Sequence, residues 1–464
     1  MYRRHMTLQY HERPRRMGVC PVLMAWALCC GIPAASVAEE VSVLTGFEPV
    51  GTRIVIHKDM LPEPYDEPSV ANIAAPATRK EGHLLQVKEG FSVNIFAQGL
   101  EDPRRLLVDE TGGVYLAQSS EGTIHYLQDD DGDGVAETIH LCADGFRVPY
   151  GMALSHGAFY VADVDHVWRL AGDVCDGGRT EGEEQRIPVT PDSALGSASG
   201  HSTRNIALSR DGRELYVAVG SRGNIGIEPE PRATIRRFDL KTGAYESYAT
   251  GLRNPVGLVM REHDRTLWTV VNERDGLGDR LVPDYMAKVE QGDFFGWPYS
   301  YLGDIPQPDW FEKRPKGIKA KVPEMLFHAH SAPLGFAFYD DASLFPQEYH
   351  GGAFVALHGS WNARVPQGYM VAFVPFADGI PQGSYEVFAS GFRVDTPPSS
   401  SSPLGDDPDA YDTPLWQSAL SRITGYKSPY VIGRPADVAV ARDGSLLIAD
   451  DVAGVIWRIT YGEE

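Results

Sequence analysis

Cysteine is scarce in this 464-residue chain, with five residues, three of them (Cys20, Cys29, Cys30) in the first 38 positions. No Cys-x-x-Cys-His run occurs, which excludes covalently attached haem. Positive charge is also short: 42 Lys and Arg face 63 Asp and Glu, a formal charge of −21. Such a surface repels nucleic acid and anionic membranes. Long apolar runs are missing. The longest, from Val19 to Ile32, has about fourteen residues, too few to span a bilayer. Helical periodicity is thin as well, which leaves strands as the main building material.

Glycine and proline are plentiful, 48 and 33 residues, as turn-dense all-β chains require. The N-terminal segment reads differently. Arg3, Arg4, Arg13, Arg15 and Arg16 precede the apolar stretch, and Ser36-Val37-Ala38 offers small residues before Glu39. This is the order of a secretory signal, so residues 1–38 are expected to be removed on export to a periplasm or the exterior. Removing their five Arg and one Glu takes the charge from −21 to −25. Only Cys142 and Cys175 then remain, and in an oxidising compartment they either form one disulfide or stay as two thiols. No membrane span is expected after signal removal.

One phrase recurs six times: a Pro or polar residue, a small residue, then apolar alternation. The copies are Asp102-Pro103-Arg104-Arg105-Leu106, Val148-Pro149-Tyr150-Gly151-Met152, Ser202-Thr203-Arg204-Asn205-Ile206, Asn254-Pro255-Val256-Gly257-Leu258, Ala332-Pro333-Leu334-Gly335-Phe336 and Arg434-Pro435-Ala436-Asp437-Val438. Short strands punctuated by Gly, Asp and Asn turns run from Phe91 to Tyr461. Self-similarity at tens of residues marks radial or stacked repeats. The expected fold is therefore all-β, a six-bladed β-propeller over 91–464, with an N-terminal extension (39–90) packing on it. Long inter-blade loops are expected near 292–323 and 377–431. Radial repeats leave a central cavity on which loops converge.

His201, at the third repeat start, is a candidate general base, because imidazole titrates near neutral pH. Asp129, Asp131 and Asp133 with Gly134 match the first half of a calcium loop, closed by Glu137, since position twelve is His140 rather than Glu. The other reading of that stretch is a solvated acidic hairpin.

Several longer motifs carry a family resemblance. Gly251-Leu252-Arg253-Asn254-Pro255-Val256-Gly257-Leu258, Val271-Asn272-Glu273-Arg274-Asp275-Gly276 and Gly292-Asp293-Phe294-Phe295-Gly296-Trp297-Pro298 occur in this order. Gly220-Ser221-Arg222-Gly223-Asn224, Leu357-His358-Gly359-Ser360-Trp361-Asn362-Ala363-Arg364 and Gly433-Arg434-Pro435-Ala436-Asp437 accompany them. Over residues 90–463 the chain resembles the soluble sugar dehydrogenases that depend on pyrroloquinoline quinone (PQQ), nearest the sorbosone or aldose dehydrogenase-like branch. The resemblance implies PQQ with Ca²⁺ at the top of a propeller and His201 as the base that takes a hydroxyl proton as hydride passes to the quinone. It implies Arg222, Asn224, Arg253, Arg364 and Arg434 as partners of the cofactor carboxylates, with Trp361 over its ring. Asn254 either joins them or braces its loop. Carbonyls of Arg274, Asp275 and Gly276 would hold the metal. Gly200, Ala436 and the Trp361–Arg364 segment depart from the glucose-oxidising members, which leaves open whether glucose is a substrate.

The expected activity is oxidation of an aldose, a sorbosone-like aldehyde sugar or a polyol, with electrons leaving to a separate cytochrome or quinone. The competing expectations are a calcium-dependent propeller lactonase and a non-enzymatic ligand-binding propeller. A lactonase needs carboxylate and amide metal ligands on the axis, where this sequence places arginines.

Overall fold

A computed structural model describes residues 40–41, 48–170, 175, 186–340, 342–394 and 430–462. The expected signal segment and most of the Pro- and Ser-rich insertion after Val394 lie outside the described residues. Among those described, the chain is all-β, with three short 3-10 turns at Lys58–Met60, Phe311–Lys313 and Gln347–Tyr349. Among the described residues, no helix is long and apolar enough to cross a membrane.

The strands from Pro103 onward form successive antiparallel sheets. Sheet I holds Pro103–Val108, Val114–Gln118, Thr123–Gln128 and Thr138–Ala143. Sheet II holds Met152–Ser155, Ala158–Ala162, Val167–Leu170 and Arg186–Pro188. Sheet III holds Ile206–Leu208, Glu214–Val219, Thr234–Asp239 and Tyr245–Thr250. Sheet IV holds Asn254–Arg261, Thr266–Asn272, Tyr285–Val289 and Met325–Leu326. Sheet V runs Pro333–Phe338, Ala353–Leu357, Met370–Val374 and Tyr385–Ala389, then takes Arg53–Ile54 and Glu40–Val41 onto its edge. Sheet VI joins Pro435–Val440, Leu446–Asp450 and Val455–Tyr461 to Phe91–Gln98, so the first long strand of the region closes on the last. The first strands touch in cyclic order, I to II, III, IV, V, VI and back to I. This is a β-propeller-like arrangement.

The core follows the same ring. Each large apolar cluster is shared by two consecutive sheets: Ile124 and Val161 join I to II, Val161's neighbour Tyr160 on II meets Val217 on III, and Ala218 meets Val271 between III and IV. Trp268 and Val355 join IV to V, Phe354 and Trp457 join V to VI, and Leu116 and Ile456 close VI onto I. Fully burying one such side chain stabilises by about 1.5–3 kcal/mol, so the interfaces between sheets carry the fold.

The repeated phrase now has a physical reason. Proline opens the first strand of sheets I, V and VI and stands second in that of sheet IV; in all four the ladder register slips just beyond it. Such bulges bend a strand and re-aim its side chains. The small residue lets neighbouring first strands approach. A Cβ on Gly335 would lie 1.9 Å from Asp437 Oδ1 of the next sheet, and one on Gly257 would lie 2.8 Å from the Leu334 carbonyl. Gly151 stands equally close to the 204–206 backbone. The third copy differs, because its strand begins only at Ile206 and residues 197–205 form a loop.

Several described residues before Phe91 pair with strands of the region that follows. Besides the edge strands on sheet V, Ala75–Pro76 pairs with Tyr430–Val431 and Gln86 bridges to Ser390. Cys142 and Cys175 are joined in a disulfide spanning 33 residues of sequence. The open alternative from sequence is thereby settled in favour of the bridge.

Candidate active site

Because each first strand starts at the same end of the ring, the residues just before those strands gather around one mouth. Its floor is a buried cluster of Tyr150, just before sheet II, with Val256, Leu334 and Ala436 from the first strands of sheets IV, V and VI. On the far side of that floor lies a separate cavity of about 510 Å³, lined by the opposite ends of the first strands, including Leu107, Val259, Phe338 and Val440. None of the candidate residues reaches that cavity.

His201 sits on the mouth in the 197–205 loop, partly buried. Its Nδ1 lies 2.8 Å from the Ser221 carbonyl and 3.2 Å from Ser221 Oγ. A carbonyl can only accept, so Nδ1 carries the proton and Nε2 is left with a free lone pair. Burial, then the nearby Arg253 guanidinium, hold the imidazole down at about 4. It is neutral at physiological pH. Gly200 stands beside it at φ +78°, and a Cβ there would fall 2.3 Å from the Arg222 carbonyl. No side chain, acidic or otherwise, fits at position 200.

A hub of polar contacts joins sheets III, IV and V. The Asn224 amide grips the Asp275 backbone at both ends, donating to its carbonyl at 2.9 Å and accepting from its N–H at 2.8 Å. Arg253 donates to the carbonyls of Asn224, Asn272 and Glu273 and lies 3.5 Å from Asp275 Oδ2. Asn362 donates to Asp275 Oδ1 at 2.7 Å, and His330 Nδ1 lies 3.3 Å from the same oxygen. Burial pushes the Asp275 carboxyl up, but His330, Arg253 and Asn362 together hold it below the usual range. Arg274 donates from Nε to the Asp275 carbonyl at 3.0 Å and reaches Gln307 Oε1. Asn254 is buried next to His201 and Gly220, with its Oδ1 unpartnered.

Sheet VI supplies Arg434, which donates to the carbonyls of His358 and Gly359 and lies over the Tyr369 ring. Arg364 receives support from two sides: its N–H donates to Asp279 Oδ1 at 2.6 Å, and its carbonyl accepts from Asn72. The Arg364 Nε is buried without a partner. Trp361 is 51% exposed, an unusual position for an indole. Arg222 extends into solvent while its backbone N–H is held by Glu228. Among the described residues, no carboxylate lies within ion-pair distance of Arg222, Arg364 or Arg434. In a chain with 63 acidic residues, three unpaired guanidiniums on linked motifs form a donor set that suits a polyanionic ligand.

The oxygens of the 274–276 loop suit calcium less well. Both lone pairs of the Asp275 carbonyl are used, by Asn224 and by the Arg274 guanidinium, and its carboxylate is tied to Asn362, His330 and Arg253. Arg274, whose carbonyl accepts the Val282 N–H at 3.5 Å, and Gly276, at φ +90°, bring the other two carbonyls. The Asp275 oxygens are thus engaged within the protein, which leaves the Arg274 and Gly276 carbonyls as the loop's candidates for a divalent cation.

The acidic stretch forms the hairpin between the third and fourth strands of sheet I. One carboxylate oxygen from each of Asp129, Asp131, Asp133 and Glu137 falls within 4.8 Å of the others. The loop is also closed by its own amides: Asp129 accepts from Gly132 and Gly134, Asp133 from Val135, and Glu137 from Asp130. It is built apart from the residues at the mouth.

Sequence reasoning missed several members. Asn72, from the segment before the sheets, ties the Trp361 carbonyl with its N–H at 2.8 Å and the Arg364 carbonyl with its side chain at 3.1 Å. His330, Asn362 and the pair formed by His358 Nε2 and Asp451 Oδ2 at 2.7 Å, with Arg104 on the same carboxylate, also lie at the mouth. Arg104 and Asn362 stand inside quoted motifs and were legible there; Asn72 had no local signal.

Comparison with known proteins follows the same lines. A family model described as TrAA12-like matches residues 85–291 and 316–462, and one described as Glucose / Sorbosone dehydrogenase matches residues 237–361. An uncharacterized protein of Borreliella burgdorferi is 27% identical over 384 residues, 81% of this chain and 91% of that protein. A pyrroloquinoline quinone-dependent pyranose dehydrogenase of Coprinopsis cinerea is 25% identical over 443 residues, 83% of this chain and 56% of that protein. The chain thus spans just over half the length of that relative. The holo form of the Coprinopsis cinerea pyranose dehydrogenase PQQ domain superposes with a TM-score of 0.61 at 19% identity, covering 84% of this chain and 100% of that one, a likeness of fold.

Proposed function

This chain belongs to the TrAA12-like family, and we propose that it is an exported, PQQ-dependent oxidoreductase acting on an aldose, an aldehyde sugar or a related polyol. The observation that supports the reading is the trio Arg222, Arg364 and Arg434, which have no carboxylate within ion-pair distance among the described residues and stand on the motifs that accompany His201. PQQ bears three carboxylates, and charge-assisted guanidinium contacts are the donors such a ligand requires. The orphaned Arg364 Nε and Asn254 Oδ1 are further polar groups awaiting a partner.

The chain's own residues divide the work. Arg222, Arg364 and Arg434 bind the carboxylates, Asn254 stands beside the base, and the exposed Trp361 covers a ring face. When bound, the quinone supplies a two-electron acceptor. His201 Nε2 takes the proton from the substrate hydroxyl, and the Ser221 carbonyl holds the resulting imidazolium by its Nδ1–H. Arg253 and Asn224 hold the 272–275 backbone in place beneath the site. No step is routed through calcium. A lactonase reading finds no support, since the mouth carboxylates Asp275 and Asp451 are each held by cationic or hydrogen-bonding partners.

In this reading the six sheets are the blades of a six-bladed propeller over 91–464. Residues 39–90 are an extension packed on it, and 1–38 a signal removed on export to the periplasm or exterior. Electrons pass on to a separate cytochrome or quinone. The disulfide is in keeping with an oxidising compartment. The test is titration of purified protein with PQQ, followed by dye reduction over a panel of sugars. Saturable binding with sugar-dependent dye reduction is expected, and His201→Asn should bind the quinone while losing about 10²–10⁴-fold in kcat. Absence of quinone binding overturns the reading.

A further inference from the structure

The loop that carries His201 is held by two buried arginines that have no acidic partner. Arg204 is 0% exposed and Arg232 is 5% exposed. Arg204 donates from Nε to the Leu195 carbonyl at 3.1 Å, from Nη1 to the carbonyls of His201 and Thr203 at 2.9 Å each, and from Nη2 to the Ser197 carbonyl at 3.1 Å. Arg232 donates from Nη2 to the carbonyls of Ser197 and Ser199 at 2.5 and 3.0 Å and to Ser197 Oγ at 3.1 Å. Its Nη1 reaches the Gly220 carbonyl at 3.1 Å and the His201 carbonyl at 3.4 Å. Among the described residues, no carboxylate lies within ion-pair distance of either.

Burying a guanidinium without a counter-charge is unfavourable, and an apolar side chain of similar volume is often the more stabilising choice. Two such groups on one loop therefore call for another reason. Their contacts share a pattern. Both reach the carbonyl of His201 itself, both reach Ser197, and Arg232 alone joins this loop to Gly220, the residue before the Ser221 that fixes the imidazole. The loop has no strand ladder of its own between Ser197 and Asn205. The two forks stand in for one.

We propose that Arg204 and Arg232 are positioning residues for the His201 base: they fix the 197–203 loop against Gly220-Ser221 so that Nδ1 meets the Ser221 carbonyl and Nε2 faces the mouth. This rests on the oxidoreductase reading above. The Arg232 charge also acts on the imidazole together with Arg253, while Asp275 is the carboxylate acting on it from the neighbouring sheet. The net field favours the neutral ring, the form a base needs. Lysine keeps the charge but cannot fork across several carbonyls.

The test compares PQQ-loaded wild type, Arg204→Lys, Arg232→Lys, His201→Asn and the two double variants. Each single Lys variant is expected to keep quinone affinity and KM within about threefold while kcat falls about 30- to 100-fold, the scale of a small misplacement of a reacting group. In the His201→Asn background either Lys substitution should lower kcat no further, since the coupling runs through the imidazole. Nitrogen NMR of the histidine rings adds a readout without turnover. Wild type should show a neutral, Nδ1-protonated His201, and the Lys variants a mixture of tautomers. Unchanged His201 signals together with unchanged kcat overturn the proposal, as does an equal further loss of kcat in the His201→Asn background. If wild type neither binds quinone nor turns over, the oxidoreductase reading fails, and the ring signals still decide the positioning role. Arg232→Lys serves as the deciding variant if Arg204→Lys does not fold.

Discussion

At the scale of single residues, protonation state is the sharpest consequence of the structure. Burial and Arg253 hold His201 at about 4, well below an ordinary histidine. A base works when neutral, so kcat/KM is expected to stay level as pH falls from 7 and to drop only as Nε2 protonates near pH 4. An acid limb near 6.5 in a pH–rate profile contradicts this assignment. Arg434→Ala is expected to weaken quinone binding at least tenfold, since removal of one charge-assisted contact forfeits about 1.5–3 kcal/mol; a titration with unchanged affinity places the cofactor elsewhere. His201, Arg253 and Arg434 were legible in the sequence because they stand inside repeated or contiguous motifs. Arg204 stood in the third copy of the phrase, yet its role was invisible, because nothing local says that its hydrogen bonds end on the carbonyls of Leu195, Ser197, His201 and Thr203.

Among elements, the segment before the sheets is more than packing. Asn72 holds the 361–364 loop by two hydrogen bonds, and Glu67 holds Arg280 at 2.8 Å on the adjoining loop. Asn72→Ala is expected to loosen Trp361 and Arg364 together, weakening quinone binding several-fold with little change in thermal midpoint. Wild-type affinity in that variant excludes the tether. The disulfide acts on a different element, tying the last strand of sheet I to Cys175. Opening its 33-residue separation by Cys142→Ser should lower stability by about 3–4 kcal/mol through chain entropy, measured by denaturant unfolding. Strand positions such as Val167–Leu170, Leu446–Asp450 and Val455–Tyr461 were readable from alternation alone. The outer strands Thr138–Ala143 and Tyr245–Thr250 were not, because their residues are largely exposed or half-buried on one face and carry little apolar pattern.

For the whole molecule, the ring explains why six divergent copies of one phrase yield one site. The shared parts of the phrase, proline and a small residue, serve the bulges and the close approach of first strands, and so repeat. The parts that differ project toward the mouth: Arg104 from sheet I, His201 before sheet III, Arg253 before sheet IV and Arg434 before sheet VI. Closure by Phe91–Gln98 on Val455–Tyr461 makes the ring depend on both ends of the region. Deleting residues 91–98 is expected to abolish cooperative unfolding, and a variant that still melts in one sharp transition contradicts the closure. The repeat was plain in the sequence, whereas the pairing of chain ends rests on contacts hundreds of residues apart. The central claim is that the unpaired arginines at the mouth hold a polyanionic quinone. Its most direct test is a spectroscopic PQQ titration of wild type beside the Arg222→Ala/Arg364→Ala/Arg434→Ala triple variant. The account predicts saturable one-to-one binding that the triple variant loses; equal binding by both proteins, or by neither, contradicts it.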